Sequence, residues 1–364
     1  MDIYDICLSD YPRFPEETDD SPRIIRAIQD CPNGILYIPK GVYEIESPIV
    51  IRNFCSLRMH PAAILRAVAE MDFVLTYDGG EQYYNLIVYD QDGAMYDNLN
   101  LFIRGGDIDG AGLASCLCIR NYHHYTLSDI TVHNGRHYGL YTGGGHGYEL
   151  IANNVYAKCN ISGLSGNVGI FSSLADSHFT DCIVVDYTVG MRIAGGANRL
   201  TRCHVWGGIV KPKTGYTQEE WCSQYRKRKY FQEGYNDQSK WPTENLPEML
   251  IDSICFDIQG GGNNLDGCYA DSGKVGYRIH NYTFMDGCGT FNNFCFGMDH
   301  ITAIEHLGGD LCISNGRFSK FEANKAVLYV SQNPSAKVHI SNVLFTGYSD
   351  EEIGEVFRNQ QFTK

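Results

Sequence analysis

Basic side chains are scarce in this sequence: 29 Lys and Arg stand against 43 Asp and Glu, a formal charge of -14. A surface of that sign repels polyanions, which argues against nucleic acid and anionic membrane as partners. Proline is scarce too, with 11 residues against 39 glycines, a balance that excludes a Pro-rich extended chain and favours many tight turns. No apolar run reaches the roughly 18 residues of a membrane-spanning helix. The opening stretch MDIYDICLSDYP has neither a basic leader nor an apolar one, so the chain reads as mature and cytoplasmic. A secreted chain that had lost its signal peptide would look the same.

What is present is a large core. Hydrophobic residues make up 43% of 364 positions, enough for one long domain, taken here as residues 1–364. A chain of this size has no need of disulfide staples, so its fourteen cysteines read mostly as small buried hydrophobes. His123, His124, His133 and His137 are not spaced to complete a zinc site with them. Neither a metal nor a cofactor is expected.

Residues 19–31 (DDSPRIIRAIQDC) predict a short helix. Asp20 or Ser21 can cap it, Pro22 fits its first turn, and Ile24, Ile25 and Ile28 fall on one face. Two short strands follow around a Pro-Lys-Gly turn, in 34–39 and 42–45, and from there helical periodicity is almost absent. A local pattern then recurs. One half is Tyr138-Gly139-Leu140-Tyr141, Val168-Gly169-Ile170-Phe171, Val189-Gly190-Met191-Arg192 and Val275-Gly276-Tyr277-Arg278; the other is a turn and short strand around Val155, Cys182, Cys203, Cys268 and Val343.

Steps of 27 and 21 residues separate Val155, Cys182 and Cys203, and the segments 195–203 and 261–268 align with a single residue of slack. A period in the low twenties with three short strands per turn predicts an all-β fold, the right-handed parallel β-helix. The fixed leucine spacing of leucine-rich repeats is missing, and the pattern is too fine for a propeller. The helix in 19–31 then caps the first turn, where strand edges would otherwise be exposed. Residues 207–250 break the rhythm as an excursion of roughly 40 residues. Thr217-Gln218-Glu219-Glu220 is a capping box that starts a helix there, and with Trp206 the excursion collects all three tryptophans: Trp206, Trp221 and Trp241.

Thr18-Asp19-Asp20-Ser21, Ala27-Ile28-Gln29, the stretch 34–43 (GILYIPKGVY) and Gly105-Gly106-Asp107-Ile108-Asp109-Gly110, with the Asn and Cys turns behind them, resemble the pectate-lyase-like right-handed β-helix superfamily. Its branch related to polygalacturonase-type glycoside hydrolases is the nearer likeness. The resemblance implies the solenoid fold and a carbohydrate-active protein, in a superfamily that holds hydrolases, lyases, epimerases, transferases and phage tail proteins. Of that branch's catalytic pattern only Gly145-His146-Gly147 has a counterpart here, and glycine-rich turns recur at every rung.

If Cys203, Cys268 and Cys295 are equivalent, Trp206, Asp271 and the neighbourhood of Asp299 stack at one strand end. Asp271 and Asp299 then form a carboxylate pair for acid/base cleavage of a glycosidic bond, and their separation decides between a retaining and an inverting reaction. Asp266 and Asp257 are further candidates, Asp266 because it is close in sequence to Asp271, and Asp257 because its strand position can aim it into the same groove. Trp206, Trp221, Trp241 and Tyr269 offer flat faces for sugar rings, and His300 a hydroxyl partner. Asp107 and Asp109 read as structural turn residues.

The expected activity is hydrolysis of a neutral or weakly charged oligosaccharide. A polysaccharide lyase or epimerase is the alternative, with Lys213, Arg226 or Lys274 as the base over a uronate. A third reading is a non-catalytic trimeric β-helix, its aromatic residues buried between subunits; among homo-oligomers a trimer fits best.

Overall fold

A computed structural model gives the fold, and it describes residues 4–80, 101–161, 164, 166–207, 253–271, 273–291, 302–320, 327–333 and 336–358. The strands form two large parallel sheets, one of 21 strands and one of ten, as in a right-handed parallel β-helix. Most full rungs run through two short strands of the larger sheet and then one of the smaller; Asn263–Asp266, Tyr269–Asp271 and Val275–Ile279 are one such rung. In two rungs the pair is one continuous strand, Tyr122–His133 and Gly147–Lys158.

The expected helix forms over Ser21–Gln29 (α1), with Ile24, Ala27 and Ile28 buried against the strand Ile49–Ile51 and Ile25 half-buried. Its start differs from the simple capping expected. The Asp19 carboxylate accepts the Ser21 N–H at 2.7 Å. Asp20 instead accepts the Glu44 N–H at 2.8 Å and pairs with Arg13 and Arg23. The capping acids thus tie the helix to the first rung as well as starting it. At the other end a second helix (α2), Asp350–Arg358, packs on Val327–Ser331.

The register confirms the column of Val155, Cys182, Cys203, Cys268 and Val343. It also removes the slack between 195–203 and 261–268, since Arg199, Leu200 and Thr201 pair with Asn264, Leu265 and Asp266. One expectation fails here. The rung after Cys268 brings in Cys288, because Tyr269 pairs with Gly289; Cys295 lies outside the described residues. The cysteines in this column are fully buried, and each Sγ donates to a carbonyl of the preceding rung, as from Cys268 to Leu200 O at 3.3 Å. All the described cysteines are free thiols.

Two sequence signals have direct steric causes. From Asp129 onward the bend in each described rung of the larger sheet holds its residue at positive φ: Asp129, Asn154, Asp181, Arg202, Gly267, Gly287, Asn315 and Asn342. Asn, Asp and Gly tolerate that conformation best. Arg202 is the exception, clamped by two hydrogen bonds to Asp181 at 2.7 and 2.8 Å. The recurrent Val-Gly pair marks where the ten-stranded sheet leaves no room for a Cβ against the larger one. A Cβ on Gly169 would lie 2.3 Å from Val184 Cγ1, and one on Gly190 only 2.2 Å from Val205 Cγ1.

Candidate functional site on the ten-stranded sheet

In a strand successive side chains alternate between faces, and the parallel register stacks the outward ones into columns. On the ten-stranded sheet one outward column runs Cys118, Tyr141, Phe171, Arg192, Asp257, Arg278, Glu305. It changes character midway, from aromatic to charged.

At the aromatic end Tyr141 stacks on Phe171 with centroids 4.9 Å apart and planes 9° apart. Tyr138 meets Tyr141 edge-on at 4.8 Å, and Phe73 lies 5.8 Å from Tyr141. All four rings are half-buried. Beside them Val168, Val189, Ile254 and Val275 form an apolar cluster separate from the solenoid interior.

At the charged end Asp257 is 1% exposed. Its Oδ2 accepts from Arg192 Nε at 2.7 Å and Gln259 Nε2 at 3.1 Å, and its Oδ1 meets His280 Nε2 at 2.8 Å. On the next rungs Arg278 Nε donates to Glu305 at 2.5 Å, and Gln332 holds the other Glu305 oxygen at 3.2 Å. The carboxylates lie inward and the cations outward: the side chains of Arg192, Arg278 and His280 are each about a third exposed. A buried acid supporting exposed cations and an imidazole can bind an anionic group and move a proton. It is poorly built to give up a proton itself.

Of the expected acids, Asp257, Asp266 and Asp271 lie among the described residues, in three different columns. Asp257 faces out from the ten-stranded sheet, whereas Asp266 and Asp271 belong to the larger one. Asp266 is exposed in a column with Thr180, Thr201 and Asp286, turned away from Asp271 by the left-handed Gly267. Asp271 does pair in register with Trp206. Next to them Tyr269 stacks on His204 at 4.0 Å and 17°. Burial lowers the His204 pKa against the opposing pull of Asp271. Trp206, Asp271 and Tyr269 are the described members of the expected aromatic and acidic corner. Asp299, His300, Trp221, Trp241, Lys213, Arg226 and the helix expected from Thr217 lie outside the described residues.

Asp107 and Asp109 do take part in local structure, within a strand rather than a turn. His133 bridges them, Nδ1 to Asp107 at 2.6 Å and Nε2 to Asp109 at 3.3 Å, and Arg66 pairs with Asp109 at 2.9 Å. Burial pulls the His133 pKa down, but the two carboxylates outweigh it and hold it at about 9. His146 donates its backbone N–H to Asn121 at 3.0 Å, a turn contact.

Arg192, Arg278, His280 and Glu305 were missed by sequence reasoning although the repeat contained the signal. The fourth residue of each Tyr/Val-Gly unit is outward, and read in order those positions give Tyr141, Phe171, Arg192 and Arg278.

No family model matches the chain, and no curated protein sequence does. Solved structures do match. A protein of Geobacillus virus E2, ORF18, is 15% identical with a TM-score of 0.56, over 93% of this chain and 61% of its own. The enzymatically active domain of tailspike protein 2 of bacteriophage CBA120 is 10% identical with a TM-score of 0.56, over 96% and 52%. The Dettilon tailspike protein gp208 is 11% identical with a TM-score of 0.54, over 98% and 70%. The chain thus spans less than two thirds of the length of the first two. At these identities the likeness is one of fold.

Proposed function

We propose that the outer face of the ten-stranded sheet binds and processes a saccharide chain. The observation that carries this reading is the single column in which stacked aromatic rings continue into Arg192, Asp257, Arg278 and Glu305. Half-buried rings suit the C–H faces of sugars, and the charged rungs suit the reacting unit.

On this face the chemistry that fits is proton abstraction from an acidic sugar, the reaction class of a lyase or epimerase. Both described carboxylates of the column are held by arginine, so neither is arranged as a proton donor for hydrolysis. The exposed guanidinium groups of Arg192 and Arg278 can neutralise a sugar carboxylate, which acidifies the adjacent C–H.

A glycoside hydrolase of the polygalacturonase-type branch is the second reading, favoured by Trp206 lying in register with Asp271. In it Asp271 works with Asp299 on a neutral or weakly charged oligosaccharide. The test is a panel of acidic and neutral oligosaccharides, followed by ultraviolet absorbance of an unsaturated ring and by new reducing ends. Unsaturated product that disappears in Arg278→Gln supports the face. New reducing ends without unsaturation, lost in Asp271→Asn, move the chemistry to the corner. Binding to none of the panel by the intact chain rejects the saccharide reading.

A further inference from the structure

We infer that His280 is the proton-transferring group of this face, positioned by the buried Asp257. The inference rests on the saccharide reading and deepens it by naming the residue that acts.

His280 follows the strand Val275–Ile279 and sits one rung beyond Gln259, on the outward side. Its Nε2 lies 2.8 Å from Asp257 Oδ1. A carboxylate only accepts, so in the neutral ring Nε2 carries the proton and Nδ1 is the free base. Nδ1 has no partner among the described residues, and the ring is 33% exposed while Asp257 is almost wholly covered. The charged groups around the dyad are Arg192 on one neighbouring strand, Arg278 on the histidine's own strand, and Glu305, bound to Arg278, on the next. Asp257 also takes Arg192 and Gln259 on its second oxygen. Its position is therefore fixed from three sides, and the ring it holds is fixed with it.

In an elimination the step balances within the site. Nδ1 takes the proton from the carbon next to the sugar carboxylate, and the C–H electron pair becomes the new C=C bond. The neighbouring C–O bond breaks with its pair on the leaving oxygen. The imidazolium then delivers the same proton to that oxygen and is neutral again. No further reactant is consumed. A positioned imidazole is worth roughly 10²–10⁴-fold in rate.

The test has two arms. Nitrogen-15 NMR of labelled histidine, with His280→Gln to assign the signal, reads the tautomer of the neutral ring. The proton is expected on Nε2, and a proton on Nδ1 overturns the inference whatever the substrate proves to be. In turnover of the best oligosaccharide, His280→Gln is expected to lose at least about 10²-fold in kcat at little change in KM. Asp257→Asn is expected to lose at least tenfold in kcat and to mix the two tautomers. Turnover that survives His280→Gln overturns the inference. Absence of turnover on every saccharide counts against the saccharide reading, and the tautomer then decides the dyad by itself.

Discussion

Among the described residues two histidines are held by aspartates, and they are held differently. His133 is bridged at both ring nitrogens, by Asp107 and Asp109, with 18% of its side chain exposed. His280 is held at one nitrogen only and is nearly twice as exposed. A doubly bridged ring is locked as an imidazolium, and its pKa near 9 keeps it charged under ordinary conditions. Such a group binds rungs together and moves no proton. A ring held at one nitrogen is oriented and still has a base to offer. The same residue pair is thus a clamp on one face and a working group on another, and the count of partners separates the two roles.

The sharpest way to break this comparison is to exchange the losses. His280→Gln should cost at least 10²-fold in turnover with the unfolding midpoint within a degree or two of the parent, because an outward, one-partner ring carries little packing. His133→Gln should leave turnover per folded molecule intact and cost about 2–3 kcal/mol of stability, since it leaves Asp107 and Asp109 facing each other over a neutral side chain. Denaturant titration read beside activity separates these outcomes. A His133 variant that is inactive but stable would erase the distinction.

The clamp also fixes a pH dependence. His133 titrates at about 9 in the folded chain and at about 6.5 when unfolded. Its contribution is therefore complete below about pH 6.5 and is lost as pH rises through about 9. Asp109 works in the opposite sense. Burial pushes its pKa up, but bonds from His133, the Ala111 N–H and Asn134 hold it far below the usual carboxylate range. What it contributes is present above about pH 4 and is lost only in strong acid. The unfolding midpoint should fall between about pH 6.5 and 9 in the parent, and His133→Gln should flatten that limb. An unchanged limb would assign the alkaline loss to other groups.

A smaller effect tests the frame that both histidines share. Gly190→Ala should cost about 1–3 kcal/mol by overpacking, because the added Cβ meets Val205 Cγ1 at 2.2 Å and Cys255 O at 2.6 Å. Smallest of all is Arg202→Asn, expected within about 0.5 kcal/mol of the parent in a denaturant melt. It gives up an exposed ion pair worth little and gains a residue better suited to positive φ.

Inward positions were the legible ones. The column of Val155, Cys182, Cys203 and Cys268 could be read from sequence because a narrow interior admits few side chains, and the Val-Gly pairs because no Cβ fits there. Rung length was less legible: the rung after Cys268 takes 20 residues to reach Cys288, and the nearby Cys295 offered a plausible false register. That register placed Asp299 beside Asp271 in the sequence reading, and Asp299 lies outside the described residues. Outward residues such as Arg192, Arg278 and His280 are under no packing constraint, so their meaning emerges only when the rungs are stacked. Asp257 was recognised as a groove residue, but its burial under Arg192 and His280 depends on neighbouring strands that local sequence does not show.

The central claim is that the outer face of the ten-stranded sheet is the working surface. The most direct measurement is calorimetric affinity for the best saccharide in Tyr141→Ala, set against Asp271→Asn. At least tenfold weaker binding in Tyr141→Ala with unchanged binding in Asp271→Asn is predicted. The reverse pattern would contradict the claim and return the site to the Trp206 corner.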